Sequence, residues 1–518
     1  CIGLSSLFAG FVTFRHALPL ARGRAAQGYH PRALSKPSAI IVLLSGAFSA
    51  GMLIYLTFGA LDAGHRFGAV GILSIVAANT VFLGAASVFL SRSRGVPIEL
   101  LAFACAAVFS LWNDNHDVRL VPLPAALPGG AVRPEMSAAF ADWVGRAPSQ
   151  PGQPVPVIVA ASEGGGIRAA YWTSLVLHHL ADLPDLDVPD RLFAISSVSG
   201  GSFGAAVYAG LRRDAVGPPG RAQVARDILH EQFLAPMVAK AVGGDLLQWF
   251  LPFPVHAFDR SSAMEDGFSA AYRDHVGAET MSLPLIELRP LDARDVPVLL
   301  LNSTSVELGR RVVASPYAWS RTDVHPDDLD PLDFHRLTQR DELVSTAVHN
   351  TARFPYISAA GRLRAAGGQS LGHLVDGGYF ENTGAETVLD LLHYLRTAAS
   401  PLAVRFIVIV VANTPASVHA TDRSAIPWRE SASLGEVFSP LRALLQTRLA
   451  RGDLALQRLR EAVEPGDVVE FRVCSDSRLR EAPLGWQLSN EMTHVLDGNL
   501  AQACFAQNVA QLRAAILR

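Results

Sequence analysis

Apolar and polar positions follow different periods in successive parts of this chain. Ala39–Leu61 and Phe67–Leu90 run for 23 and 24 residues without a formal charge. At about 1.5 Å rise per residue, each covers the roughly 30 Å of a bilayer's hydrocarbon core, so two spanning helices are expected. Ile98–Trp112 is shorter and carries Glu99 near its start, but a charge at a helix end reaches the interface and Trp112 suits one, which fits a third span. Ile2–Phe14 is apolar as well; with Cys1 rather than Met in front of it, it reads as the remnant of a truncated helix. From Asn113 to Pro154 the pattern gives way to Pro, Gly and Ala, with one helix-like stretch near Met136–Gly145, and this reads as a linker. Beyond it, apolar β-branched runs alternate with helical patterns. Val155–Ala161, Leu192–Ser196, Val298–Leu301, Leu371–Val375 and Phe406–Val411 are expected as buried strands of an α/β sheet covered by helices. The expected division is a helical membrane region over 1–112, a linker over 113–154 and a catalytic domain over 155–518.

Composition sharpens this picture. Half of the 518 residues are apolar and 18% are charged, which excludes disorder and argues against a nucleic-acid binder. Residues 1–112 hold eight Arg or Lys against two acids, and the rest hold 36 against 45. Basic residues in short loops stay on the cytoplasmic side. Arg15, Arg22, Arg24, Arg32 and Lys36 precede the first full span, and Arg92 and Arg94 lie between the second and third, so both loops are placed inside. The short turn over 62–66 is then outside, and three crossings deliver everything after Trp112 to the outer face, the periplasm of a Gram-negative bacterium. If Ile98–Trp112 does not span, the orientation inverts. Cys474 and Cys504, the only cysteines beyond the spans, would then meet in a compartment where disulfides persist, and a bridge between them is predicted; two unrelated buried thiols are the alternative. No CxxC or HExxH string offers a metal site, and no cofactor is expected.

Three short motifs carry chemistry. The strand Val155–Ala161 runs into Ser162-Glu163-Gly164-Gly165-Gly166-Ile167-Arg168 and then a helical pattern over Ala169–Leu180. Glycines at a strand-to-helix turn can aim backbone N–H groups into a pocket at a helix N-terminus, which makes an anion hole. There is no GxGxxG spacing and no Gly-Lys-Ser/Thr to favour a nucleotide phosphate. The next strand ends in Ser197-Val198-Ser199-Gly200-Gly201-Ser202, followed by a small-residue helix over Phe203–Leu211, which is a nucleophile-elbow context. Ser202 sits in a literal GxSxG string, but Ser199 stands at the turn itself and is favoured. Finally, Leu374-Val375-Asp376-Gly377-Gly378 places an acid at the end of a strand, where clefts of open α/β sheets form.

Together these motifs resemble the patatin-like phospholipase family and its relatives among the cytosolic phospholipases and fungal lysophospholipases. Glu163-Gly164-Gly165-Gly166-Ile167-Arg168 is similar to the family's Asp-Gly-Gly-Gly-x-Arg loop, with Glu for Asp. Ser197-Val198-Ser199-Gly200-Gly201-Ser202 is similar to Gly-x-Ser-Gly-Gly-Ser, with Ser197 for the first Gly. Tyr208-Ala209, Asp376-Gly377-Gly378 and the segment from Ala352 to Ser358 match further blocks. The resemblance covers the chain from about Val155 onward. It implies a three-layer α/β sandwich with a mostly parallel central sheet, and a membrane-anchored acyl hydrolase of the bacterial type that cleaves phospholipids or lysophospholipids. The implied machinery is a Ser199–Asp376 dyad, an oxyanion hole at Gly164, Gly165 and Gly166, and Arg168 on a substrate phosphate or in a salt bridge beside its helix.

A lipid- or phosphate-binding sensor on the same anchor is the rival reading. His349 and His373 are taken as structural, since His373 and Asp376 should point to opposite faces of one strand. Leu246–Val255, aromatic and broken by two prolines, is either a membrane-dipping lid or core packing. The acidic segment Asp323–Asp333 lacks an EF-hand pattern and reads as a solvated loop.

Overall fold

The computed structural model describes residues 36–124, 133–147, 152–218, 220–290, 292–318, 331–354, 357–397, 403–414, 435–474 and 485–518. Ile2–Phe14, the basic residues ahead of Lys36 and most of the acidic segment, 323–330, lie outside them. The chain divides into two compact units.

One unit joins the residues up to Asp117 to Gln232–Gly267. Its helices are α1 (Lys36–Phe58), α2 (Ala60–Arg94) and α3 (Ile98–Phe109). α1 and α2 are long and apolar enough to cross a membrane, each containing an apolar stretch with a mean hydropathy of 2.0. Large side chains along them face outward, Leu43 72% and Val70 80% exposed. The turn expected over 62–66 is helical instead. The chain reverses at Gly59, and α2 kinks at Gly68, whose φ of 64° and ψ of 169° leave the helical region; a glycine without Cβ allows this break. Leu56, Ala60, Ala63 and Ile72 pack with Ala235, Ala239 and Ala263 of the Gln232–Gly267 insertion. The insertion therefore belongs with the apolar helices rather than with the sheet that precedes and follows it in sequence.

The other unit, Val118–Glu231 with Phe268–Arg518, begins with α4 (Met136–Gly145). It then runs through β1 (Val155–Ser162), α5 (Gly166–Ala181), β2 (Leu192–Val198), α6 (Gly200–Arg213), β3 (Val298–Ser305), β4 (Arg311–Ala314) and β5 (Leu332–Asp333). β6 (Gly361–Arg364), β7 (Ser370–Asp376), α7 (Ala385–Thr397), β8 (Val404–Ala412), α8 (Gly435–Ala462), β9 (Val468–Arg472) and α9 (Ala503–Leu517) complete it. The strand order is β9-β8-β1-β2-β3-β4-β5, with β7 bonded to β3 and β6. From β9 to β3 all neighbours are parallel, and β4 and β7 are antiparallel to β3. All five strands read from the sequence are present and somewhat longer than expected.

Val157, Val159 and Ala161 of β1 pack with α4, α7 and α8 through Phe140, Leu391 and Leu456. The alternate residues Ile158 and Ala160 are equally buried, so helices cover both faces, and the near-continuous apolar runs of the parallel strands follow from that. The helix-like stretch expected near Met136–Gly145 is built into this core, since Phe140 stacks on Phe406 with ring centroids 5.9 Å apart. Cys474 and Cys504 are bridged, with Cα atoms 6.4 Å apart.

Candidate active site

β2 ends at Val198, and Ser199 turns the chain directly into α6 with φ 51° and ψ −128°. A non-glycine residue rarely adopts that conformation, and it holds the hydroxyl off the sheet edge. The turn needs Gly200 because a Cβ there would overlap the carbonyl oxygen of Gly166. Elbow and glycine loop thus lie in direct backbone contact. Gly200→Ala is expected to lower stability by about 1–3 kcal/mol, the usual range for overpacking a tight site. Because the loop must shift, catalytic rate should fall further than the lower melting temperature explains; comparing Tm with kcat at a temperature where the variant is folded checks this.

Asp376 arrives from a distant part of the chain by way of β3. Val198 pairs with Asn302 of β3, and Asp376 pairs with the next residue, Ser303. β7 therefore takes over the edge of β3 where β2 stops. Ser199 and Asp376 line the same cleft, and the Asp376 carboxylate accepts the Gly378 N–H at 2.7 Å. Burial, 4% exposed, pushes the Asp376 pKa up to about 6, and the neighbouring Ser199 hydroxyl, the Gly378 N–H and the charge of Arg448 oppose that rise. The segment before β6 fixes the turn around Asp376: its N–H donates to Arg353 O at 3.0 Å and the Gly377 N–H to Thr351 O at 3.1 Å.

The glycine loop divides its labour. Gly164 lies against Ser199, a Cβ on it falling 3.0 Å from the Ser199 Cβ. Its N–H, however, already donates to Asn382 O at 2.9 Å. The expectation of three oxyanion donors is corrected on this point, since a committed N–H cannot also serve an oxyanion. Gly165, at φ 153°, and Gly166, at φ 59°, open α5, and no hydrogen bond to another described residue is recorded for either N–H. The carbonyl of Gly164 accepts from Asn382 Nδ2 at 3.2 Å and Asn413 Nδ2 at 2.8 Å, so two amide side chains fix the loop. Arg168 donates to Asn413 Oδ1 at 2.9 Å, and burial pushes its pKa down against the charge of Glu163. Glu163 in turn receives the Thr414 hydroxyl at 3.1 Å.

All these groups line one cleft of about 220 Å³ with Phe354, Ile357, Leu449, Trp486 and Arg448. Among the described residues, the lining contains no histidine. His349 is buried against the Ser358 hydroxyl at 2.6 Å, and His373 pairs with Glu307 at 2.8 Å. Ser202 lies one turn into α6, fully buried and away from the cleft. Sequence reasoning missed Asn382, the role of Asn413, and Arg448. Asn413 had a signal, because it follows an expected strand at the sheet edge where ligands bind. Arg448 had none.

Elsewhere among the described residues, His116, Asp245 and Asp259 bring donor atoms within 4.8 Å of one another. Arg260 already pairs with Asp245, and His116 with Asp259 at 2.6 Å, which makes the group an ion-pair network.

No family model matches the chain, and no curated protein matches it. Among solved structures, human GIVD cytosolic phospholipase A2 in complex with methyl gamma-linolenyl fluorophosphonate is similar at 16% identity and a TM-score of 0.35. The same enzyme with that inhibitor and terbium chloride gives 16% and 0.33. In both cases the match covers 74% of this chain and 62% of the other.

Proposed function

We propose that this chain is a membrane-anchored serine acyl hydrolase that cleaves carboxylic esters of phospholipids or lysophospholipids through a Ser199–Asp376 dyad. The meeting of those two side chains in one cleft, Ser199 at a strained strand-to-helix turn and Asp376 buried beside it with Gly165 and Gly166, carries the reading. Asp376 takes the proton as the Ser199 Oγ attacks the ester carbonyl. The N–H groups of Gly165 and Gly166 receive the tetrahedral oxyanion, each worth about 3 kcal/mol in such a role. Asp376 then returns the proton to the leaving alcohol, the acyl group stays on Ser199, and water activated by Asp376 releases the fatty acid. A pKa near 6 makes the buried carboxylate a stronger base than an exposed one while leaving it ionised at neutral pH.

The lipid character of the substrate is supported by the apolar wall of Phe354, Ile357, Leu449 and Trp486, and its anionic character by two guanidinium groups in the same cleft. Arg168 is held by Asn413. Arg448 has a buried Nε without a hydrogen-bond partner. Arg448→Ala should raise KM for a phospholipid about tenfold, the loss of one charge-assisted bond, with little change for a neutral diacylglycerol. Equal effects on both lipids would remove the phosphate role.

The anchor is α1 and α2, with α3 as a third crossing, and the Cys474–Cys504 bridge agrees with an oxidising outer compartment, the periplasm in a Gram-negative cell. The experiment that tests the function is incubation of the full chain with a fluorophosphonate, mapping of the adduct by mass spectrometry, and release of fatty acid from a panel of labelled lipids. An adduct on Ser199 with lipid turnover is expected. Binding of lipid without adduct or turnover would leave a sensor domain instead.

A further inference from the structure

We infer that residues 246–253 form an interfacial membrane element, a band of aromatic side chains lying at the headgroup level of the same bilayer that α1 and α2 cross. This rests on the membrane-anchor reading above. Leu-Leu-Gln-Trp-Phe-Leu-Pro-Phe contains no formal charge, and its apolar side chains do not enter a core: Trp249 is 60%, Phe253 57% and Phe250 45% exposed.

Their exposure is built in by a polar scaffold on the other side. Gln248 is buried, donates to Phe253 O at 2.8 Å and accepts the Val255 N–H at 2.8 Å. The residues that follow α3 bond further carbonyls of the loop. Trp112 Nε1 donates to Pro252 O at 2.7 Å, Asn113 Nδ2 to Gln248 O at 2.9 Å and Leu251 O at 3.0 Å, and Asn115 Nδ2 to Val255 O at 3.3 Å. With these carbonyls satisfied, the loop leaves water at a lower cost in stranded polar groups.

The element also sits at a defined level. Gly243, just before it, packs on Leu56 and Thr57 at the end of α1, and Pro236 packs on Gly64 near the start of α2. Trp112 marks the end of α3. The insertion therefore rests on the same end of all three helices, and its aromatic band continues the exposed Leu111 and Trp112. Trp and Phe next to the terminus of a spanning helix, without intervening charge, suit the boundary between headgroups and acyl chains. The carboxylates at the base of the insertion have partners, Asp245 in Arg260 and Asp259 in His116, so neither is left facing the lipid.

The test uses the full chain with Cys1→Ser and Cys105→Ser, reconstituted in phosphatidylcholine vesicles, with a nitrobenzoxadiazole label on single cysteines. Phe250→Cys and Trp249→Cys report on the band, Val70→Cys on the span, and Leu308→Cys on an exposed site of the α/β unit. Lipids with a spin label high on the acyl chain should quench the two band sites as strongly as a label at Trp112→Cys, and leave Leu308→Cys bright. Val70→Cys, a few residues inside the span, should be quenched by the same lipids. If Val70→Cys is not quenched, the anchor reading fails and this inference with it. If Val70→Cys is quenched but both band sites stay bright, the anchor stands and the inference fails, because protein rather than lipid then covers or water bathes the band.

Discussion

Ser199→Ala is expected to lower kcat for ester hydrolysis by on the order of 10⁶-fold, the loss seen when a nucleophile that works with its base as a unit is removed. Fluorophosphonate labelling should vanish with it. The neighbouring Ser202→Ala is the informative control, because only this serine satisfies the literal GxSxG string. Its side chain is fully buried and its hydroxyl lacks a hydrogen-bond partner, so removing that oxygen deletes no bond. Activity and labelling should stay within a few-fold of wild type. Labelling that survives Ser199→Ala, or disappears in a folded Ser202→Ala protein, would move the nucleophile and dissolve the dyad.

Asp376→Asn should lower kcat/KM by about 10²–10⁴-fold, the contribution of a positioned general base. The wild-type pH profile should carry the same signature. Asp376 works ionised, and burial holds its folded pKa up at about 6, so the rate should fall on the acid side through pH about 6 and be flat just above it. The acid limb should be missing from the residual activity of Asp376→Asn. Stability should move the other way. A folded pKa above the ordinary value of an aspartate means the folded chain binds the proton more tightly than the unfolded one. The cost of the buried carboxylate is absent at the lowest pH, grows between about pH 4 and 6, and is complete above that. Asn removes it, so Tm at pH 7 should be unchanged or higher while activity is lost. A fall in Tm with retained activity would show that Asp376 is a structural acid.

Much of the fold was legible because each motif is local. An apolar run of 23 residues, a β-branched strand ending in Ser-Gly-Gly and an Asp at the end of another strand each state their own conformation, and the structure has each in place. The segment 113–154 shows what pattern reading leaves open: Pro and Gly set its loops, but Phe140 and Trp143, buried on one ten-residue helix, decide that this helix packs. A short amphipathic helix has no local signal for which surface will cover it. The insertion Gln232–Gly267 shows the same limit, since its composition allowed either core or membrane and its partners lie more than a hundred residues away in sequence.

Sequence by itself determined the length and apolarity of the helices, the strained elbow at Ser199 and the glycine loop, because each depends on neighbours a few bonds apart. Tertiary structure alone decided that β3 holds Val198, the residue before Ser199, and Asp376 beside consecutive residues, that Asn382 and Asn413 fix the loop and Asn382 occupies one of its three amides, and that Arg448 enters the cleft. Those outcomes depend on strand order and register, which are set by burial summed over the whole sheet and not by any segment's own preference.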